Sequence, residues 1–160
     1  MSLKLATTAF HTGGLIPEKY SKDGANISPP LSWSGVPQAT QSLVLIVDDP
    51  DAPSGVFVHW LLYAIPPSTP GLDERCPSTE VLSDGSRQGR NGFGEIGYGG
   101  PKPPSGVHRY YFHLFALDTE LALPPGARRQ DLDRAMQGHV LEQSDIFGTF
   151  AHRKPGSQAA

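Results

Sequence analysis

The stretch "GYGGPKPPSGVHRYYFHLFALD", Gly97 to Asp118, joins two unlike halves. Gly97–Gly106 is mostly glycine and proline, whereas His108–Asp118 is an aromatic and aliphatic run rich in strand-forming residues. Alternate residues of a strand share a face. One face therefore carries His108, Tyr110, Phe112, Leu114 and Ala116, and the other Arg109, Tyr111, His113, Phe115 and Leu117. His108 and Tyr110 become polar tips at one end of an apolar face, the pattern expected of a pocket at a sheet's edge. Gly99 and Gly100 would let the backbone approach a ligand closely and turn N–H groups into one concavity. Pro101, Pro103 and Pro104 stiffen the loop and lower the entropy lost on binding. A stiff turn between two sheets would use the same residues.

Two more strands have similar ends. "QSLVLIVDD", Gln41–Asp49, turns acidic at its close, with Asp49 in phase with Leu43, Leu45 and Val47. "GVFVHWLLYAIP", Gly55–Pro66, is apolar on both faces apart from His59, which strict alternation groups with Phe57, Leu61, Tyr63 and Ile65. Such a strand is expected at the centre of a sheet covered on both sides. Three apolar strands thus carry Asp49, His59, His108 and Tyr110. Buried polar groups need partners, so these four are expected to meet. His11, His113, His139 and His152 are read as ordinary structural histidines.

Outside the strands, "SPPLSWSGVP" (Ser28–Pro37) reads as a stiff connection anchored by Trp33, and Leu72–Gly97 as a long surface loop. "RQDLDRAMQGHVLEQ" (Arg129–Gln143) predicts a helix with Leu132, Met136 and Val140 on one face, weakened by Gly138. "DIFGTFAHR" predicts a last strand, and "KPGSQAA" a frayed tail from about residue 154. No repeat or linker divides the chain, so residues 1–160 are expected to form one domain.

Composition agrees with a β fold. The 160 residues include 18 glycines and 16 prolines, spread between apolar runs. Long helices tolerate that poorly, because an interior proline costs about 3 kcal/mol. The 13 basic and 16 acidic residues give a net charge of −3, with no basic stretch to follow a nucleic-acid backbone. No apolar run approaches the roughly 18 residues of a membrane span. Cys76 is the lone cysteine and "MSLKLATTAF" lacks a signal peptide's apolar centre, which together point to the cytoplasm. "NIS" at Asn26 matches a glycosylation sequon and reads as a turn.

"DDPDAPSGVFVHW" and "GYGGPKPPSGVHRYYFHLFALD" resemble the two signature segments of the phosphatidylethanolamine-binding proteins, which include the Raf kinase inhibitor proteins. "NISPPLSWSGVP", "GRNGFGEIGYGGP" and "MQGHVLEQSDIFGTF" resemble the short bacterial branch, so the likeness runs from about Thr12 to Phe150. The resemblance implies a mainly β, sandwich-like fold with a large central sheet, a smaller second sheet and few helices. It also implies a small pocket for phosphate-like anions and phospholipid headgroups, with no cofactor or metal. Asp49, His59, His108 and Tyr110 would line the pocket, and Gly99, Gly100 and Pro101 would form its wall. Asp51, Pro53, Phe57 and Arg109 would support it, with Phe57 standing where many eukaryotic members carry tryptophan. Ala52–Pro53 is expected to be cis by the same likeness. Ending at Ala160, short of the helix that covers the pocket in eukaryotic members, the chain is expected to have a more open pocket. That weighs against binding of long-chain phospholipids. A kinase or protease partner and a homodimer are further expectations of the resemblance.

Two other readings compete with a non-enzymatic anion pocket. Two histidines and a carboxylate also compose iron and zinc sites, which would make a metal-dependent enzyme. Against that, the donors come from three segments with no chelating spacing, and loop N–H groups suit anions. A protein-interaction module acting through the pocket rim or the Leu72–Gly97 loop is the other alternative. No G-x-S-x-G elbow or Walker loop is present. In the anion reading, Asp49 raises the pKa of an imidazole, and a partly positive His59/His108 pair holds a phosphate monoester best near and below neutral pH.

Overall fold

A computed structural model describes residues 2–152, and the expected frayed tail lies outside them. The strands are β1 (Lys4–Ala6), β2 (Leu31–Ser34), β3 (Ser42–Asp49), β4 (Phe57–Ile65), β5 (Gly71–Leu72), β6 (Arg87–Gln88), β7 (Val107–Leu117) and β8 (Val140–Ala151). A short 3-10 turn covers Glu18–Tyr20, and one α-helix, α1, covers Arg129–Met136. The large sheet has the order β6-β4-β3-β7-β8 and the small one β1-β2-β5. All pairings between named strands are antiparallel.

The all-apolar character of β3 follows from its place: both faces of the central strand are covered. On one face Leu43, Leu45 and Val47 pack with Phe112 and Leu114 of β7 against Leu5, Leu31 and Trp33 of the small sheet. On the other, Val44 and Ile46 pack with Leu61 and Tyr63 against Leu121, Ala127 and two α1 residues, Leu132 and Met136. Burying a side chain of this size contributes about 1.5–3 kcal/mol, so the two cores fix the sheet between the layers.

Several expectations need correction. Trp33 is a core anchor, but it sits in strand β2 rather than in an irregular connection. The helix ends at Met136: the His139 N–H donates to the Met136 carbonyl at 2.9 Å, and Gly138 takes φ +80°. Val140 then belongs to β8, which is much longer than its predicted part because it pairs with β7 along nearly its whole length. The segment read as a long surface loop has a buried core of its own. Ser86, Gln88 and Asn91 are buried, and Gln88 accepts the Trp60 indole N–H at 2.7 Å while donating to the carbonyls of Pro77 and Thr79. The Ala52–Pro53 peptide is trans. The turn after β3 is made instead by Gly55 at φ +111°, whose N–H reaches the Ala52 carbonyl at 3.2 Å.

His113 is more than an ordinary structural histidine. Its Nδ1 lies 2.5 Å from Asp145 and its Nε2 3.1 Å from Asp48, so both ring nitrogens face carboxylates, an arrangement that favours the imidazolium. Arg129 of α1 bonds the other Asp48 oxygen at 2.9 Å, tying the helix to the sheet. Burial lowers the His113 pKa, but the bonds to Asp48 and Asp145 outweigh it and leave the value raised. A raised folded-state pKa gives stability that is full below the unfolded value of about 6.5 and is lost as pH rises through the folded value. Urea denaturation between pH 6.5 and 9 should therefore show a falling stability. His113→Gln should flatten that limb; an unchanged slope would remove His113 as its source.

Candidate functional site

β4, β3 and β7 are neighbours in the large sheet, and Asp49, His59, His108 and Tyr110 lie at the same end of all three. Each is buried, at 3%, 3%, 6% and 1% exposure. Asp49 and the His108/Tyr110 face reach this end through the alternation read from sequence. His59 arrives differently. Val47 pairs with Trp60 but Asp48 pairs with Val58, so β4 carries an extra residue there, a β-bulge at His59. The bulge resets the phase: Leu61 and Tyr63 pack in the helix-side core, while Trp60 and Leu62 pack in the core beside the small sheet. The His59 ring stands 5.1 Å from that of Tyr110, edge to face. The expected grouping of His59 with Leu61 and Tyr63 is thus overturned.

Asp49 faces inward on both oxygens. Oδ2 accepts from His108 Nδ1 at 2.5 Å, and Oδ1 accepts the Asp51 backbone N–H at 2.8 Å. Asp51 in turn takes the Arg109 backbone N–H at 2.9 Å and a two-point grip from the guanidinium at 2.9 and 2.8 Å. Those bonds hold the Asp51 carboxyl down to about 2. The Asp51–Arg109 pair thereby ties the turn after β3 to the start of β7. Pro53 is exposed on that turn and Phe57 is half-buried.

The His59 Nδ1–H donates to the Gly99 carbonyl at 2.6 Å, and the Gly99 N–H returns a bond to the His59 carbonyl at 2.9 Å. Burial lowers the His59 pKa and outweighs the opposing pull of the Gly99 carbonyl and Asp49. His59 is therefore neutral at neutral pH, contrary to the expected charge on this ring. Both imidazoles spend Nδ1 on the protein.

The glycine loop also differs from expectation. The Gly100 N–H is taken by Asn26 Oδ1 at 2.8 Å, and Pro101 accepts the Lys22 N–H at 2.9 Å. With the Gly99 N–H bonded to His59, the loop offers no free amide from these positions to an anion. Its glycines serve internal packing: a Cβ on Gly100 would lie 2.1 Å from the Tyr20 carbonyl oxygen, and one on Gly99 2.6 Å from the Phe93 ring.

Tyr110 differs from its neighbours in having a polar atom left over. Among the described residues, its hydroxyl and Thr40 Oγ1 are the buried side-chain polar atoms without a hydrogen-bond partner. Burial, reinforced by Asp49 and Asp51, pushes the phenol pKa up against the smaller pull of the Lys102 backbone N–H on its oxygen, so the O–H stays a donor without an acceptor.

Sequence reading missed three contributors. Phe93 packs edge-on to Phe57 at 4.9 Å and to His59 at 5.7 Å, with the Lys22 ammonium 4.4 Å over its ring. Asn91 braces the loop through Gly97 O at 2.9 Å and the Phe93 N–H at 2.9 Å. Asn26, read as a turn, follows one directly, at φ +55°, and its side chain holds Gly100. Polar residues inside a Gly-rich segment were the available signal. Among the described residues no three His, Cys, Asp or Glu side chains form a group able to hold a metal ion.

Two sheets, one on the other, with a His/Asp/Tyr cluster at the strand ends of the larger, place the molecule in a class of β-sandwich. The chain belongs to the phosphatidylethanolamine-binding protein family, whose model matches residues 6–151. It is 55% identical over 148 residues to a UPF0098 protein of Methanothermobacter thermautotrophicus, covering 92% of this chain and 98% of the relative. It is 48% identical to one from Aquifex aeolicus, covering 92% and 88%. The crystal structure of a phosphatidylethanolamine-binding protein homologue from Chlamydia trachomatis superposes with a TM-score of 0.86 at 41% identity, covering 95% of this chain and 99% of that one. YbcL of E. coli, described as a member of the mammalian family, gives 0.87 at 27% identity over 96% and 100%. Among the described residues no helix is long and apolar enough to cross a membrane.

Proposed function

We propose that the cluster binds a small phosphate-like anion, free or as a lipid headgroup, and that the protein is a non-enzymatic cytoplasmic ligand-binding module. The observation that carries this reading is the orphaned Tyr110 hydroxyl. A buried donor without an acceptor costs about 1–3 kcal/mol, a cost that an anion's oxygen would remove. With Nδ1 of His108 held by Asp49 and Nδ1 of His59 held by Gly99, Nε2 is the ring atom left to each for a ligand. Asp49 is a positioning residue here, since both its oxygens are engaged. The Tyr110 hydroxyl is the donor already free for an anion, and Nε2 of His59 becomes a donor only when that ring takes up a second proton. Family membership supports ligand binding of this kind.

Tyr110→Phe separates the two consequences of the orphan. The variant should bind phosphorylethanolamine about tenfold or more weakly by calorimetry, since a hydrogen bond to a charged group contributes about 1.5–3 kcal/mol. Its unliganded fold should be as stable as the parent or more so. Sulfate, doubly charged throughout pH 5–9, isolates the protein's own titration. Because burial depresses the His59 pKa, sulfate affinity should rise as pH falls and that ring gains its proton. Full affinity in Tyr110→Phe together with a flat sulfate profile would sink the proposal.

A further inference from the structure

In the sheet that does not carry the histidine cluster, the outer strand leaves an edge unpaired among the described residues. β5 is the outer strand of the order β1-β2-β5. The Trp33 N–H donates to the Pro70 carbonyl at 3.0 Å, and the register continues as Ser32 opposite Gly71 and Leu31 opposite Leu72. Hydrogen-bonded and non-bonded pairs alternate in an antiparallel ladder. Trp33–Pro70 is a bonded pair, so Ser32–Gly71 is a non-bonded one, and the Gly71 N–H and C=O point away from β2. Among the described residues no other strand pairs with β5.

That edge faces a groove of about 770 Å³ between residues 68–77 and residues 79–84. Leu72, Cys76 and Leu82 supply apolar lining, together with Val81, which is 49% exposed. The far wall is anchored by the antiparallel bridge of Val81 to Arg87 and by the Thr69 hydroxyl bonded to Asp84 at 3.0 Å. The lining carries Asp73, Glu74 and Asp84 against Arg75, and since Glu74 is paired with Lys19 at 3.2 Å, the acidic balance rests on Asp73 and Asp84. Asp73 makes no hydrogen bond or ion pair with another described residue.

We infer that this groove takes an extended, basic peptide segment of a partner protein as an added strand on β5. The peptide's backbone would pair with the Gly71 N–H and C=O. Its alternate side chains would meet the apolar lining on one side and the acidic rim on the other, the usual division of affinity and specificity in strand addition. Exposed edges are normally protected by their own charges; here the balance is acidic, which disfavours a second copy of the same edge and favours a cationic strand. The inference is independent of the anion site, since it uses none of the histidine cluster.

The test titrates the full-length, ¹⁵N-labelled protein with a synthetic peptide of alternating lysine and valine, up to about 1 mM, the weakest affinity worth calling specific. Three comparisons accompany it: the same peptide N-methylated at alternate amides, a glutamate/valine peptide, and the Asp73→Lys protein. The expected result is amide shifts and slowed hydrogen exchange at Gly71 and Leu72, with binding about tenfold or more weaker in all three comparisons. Asp73 is exposed, so its replacement leaves the fold intact. No shift at Gly71 with 1 mM peptide, equal binding of the N-methylated or acidic peptide, or shifts confined to His59 and His108 would each overturn the inference.

Discussion

Gly100→Ala should destabilise the protein by at least about 3 kcal/mol, lowering its urea midpoint by about 1–3 M. The added methyl would stand 2.1 Å from the Tyr20 carbonyl oxygen and 2.8 Å from the Ser21 carbonyl carbon. Both neighbours are backbone and cannot rotate aside. Moving that backbone would also strain the Tyr98 hydroxyl bond to the Tyr20 carbonyl, 2.7 Å, and the Gly100 N–H bond to Asn26, 2.8 Å. Gly55→Ala provides the contrast. No atom lies within 4 Å of its would-be Cβ, and only the positive φ of +111° opposes it. Its cost should stay near the 1–2 kcal/mol of a left-handed L-residue. Similar midpoints for the two variants would show that the 97–101 loop yields easily, and that its close packing does not set the position of His59.

Asp49→Ala should cost about 3–5 kcal/mol and bring phosphorylethanolamine binding below calorimetric detection. The substitution strips the acceptor from the His108 Nδ1–H and from the Asp51 N–H together, at a site 3% exposed. Asp49→Asn keeps the shape and the acceptor for the Asp51 amide, but it turns an N–H₂ group toward His108. The ring must then carry its proton on Nε2 instead of Nδ1, a change visible in the imidazole ¹⁵N shifts. Stability in Asp49→Asn should recover toward the parent, and since an Nε2–H is the form that an anion's oxygen can accept, binding should recover with it. Binding lost in Asp49→Asn as in Asp49→Ala would mean that the charge of Asp49, rather than the tautomer of His108, serves the ligand.

Much of this arrangement was legible in the chain. Strands β3, β4 and β7 announce themselves because a sheet covered on both faces demands uninterrupted apolar runs, and a polar residue at the end of such a run stands out. Asp49, His108 and Tyr110 were found in that way, with face and phase correct. His59 was found for a sound reason but assigned to the wrong face. Alternation is a property of one strand, whereas a bulge is a property of a pair, visible only once Val47 meets Trp60 and Asp48 meets Val58. The Gly99–Pro101 loop was recognised as a close-approach element, and the neighbours that its glycines approach are Tyr20 and Phe93. β8 was foreshortened because its partly exposed residues lack the apolar signal, and its extent is set by pairing with β7.

What the sequence determined by itself, then, is the β class, the principal strands and the identity of the four polar residues that end them, because burial and period-two geometry act over a few residues at a time. The tertiary structure decided which atoms of those residues are spent and which are left. Asp49 is consumed by His108 and Asp51, the loop amides by His59 and Asn26, and the Tyr110 hydroxyl remains unpaired. Hydrogen-bond satisfaction among groups dozens of residues apart depends on where the chain brings them in space, and local sequence carries no measure of that.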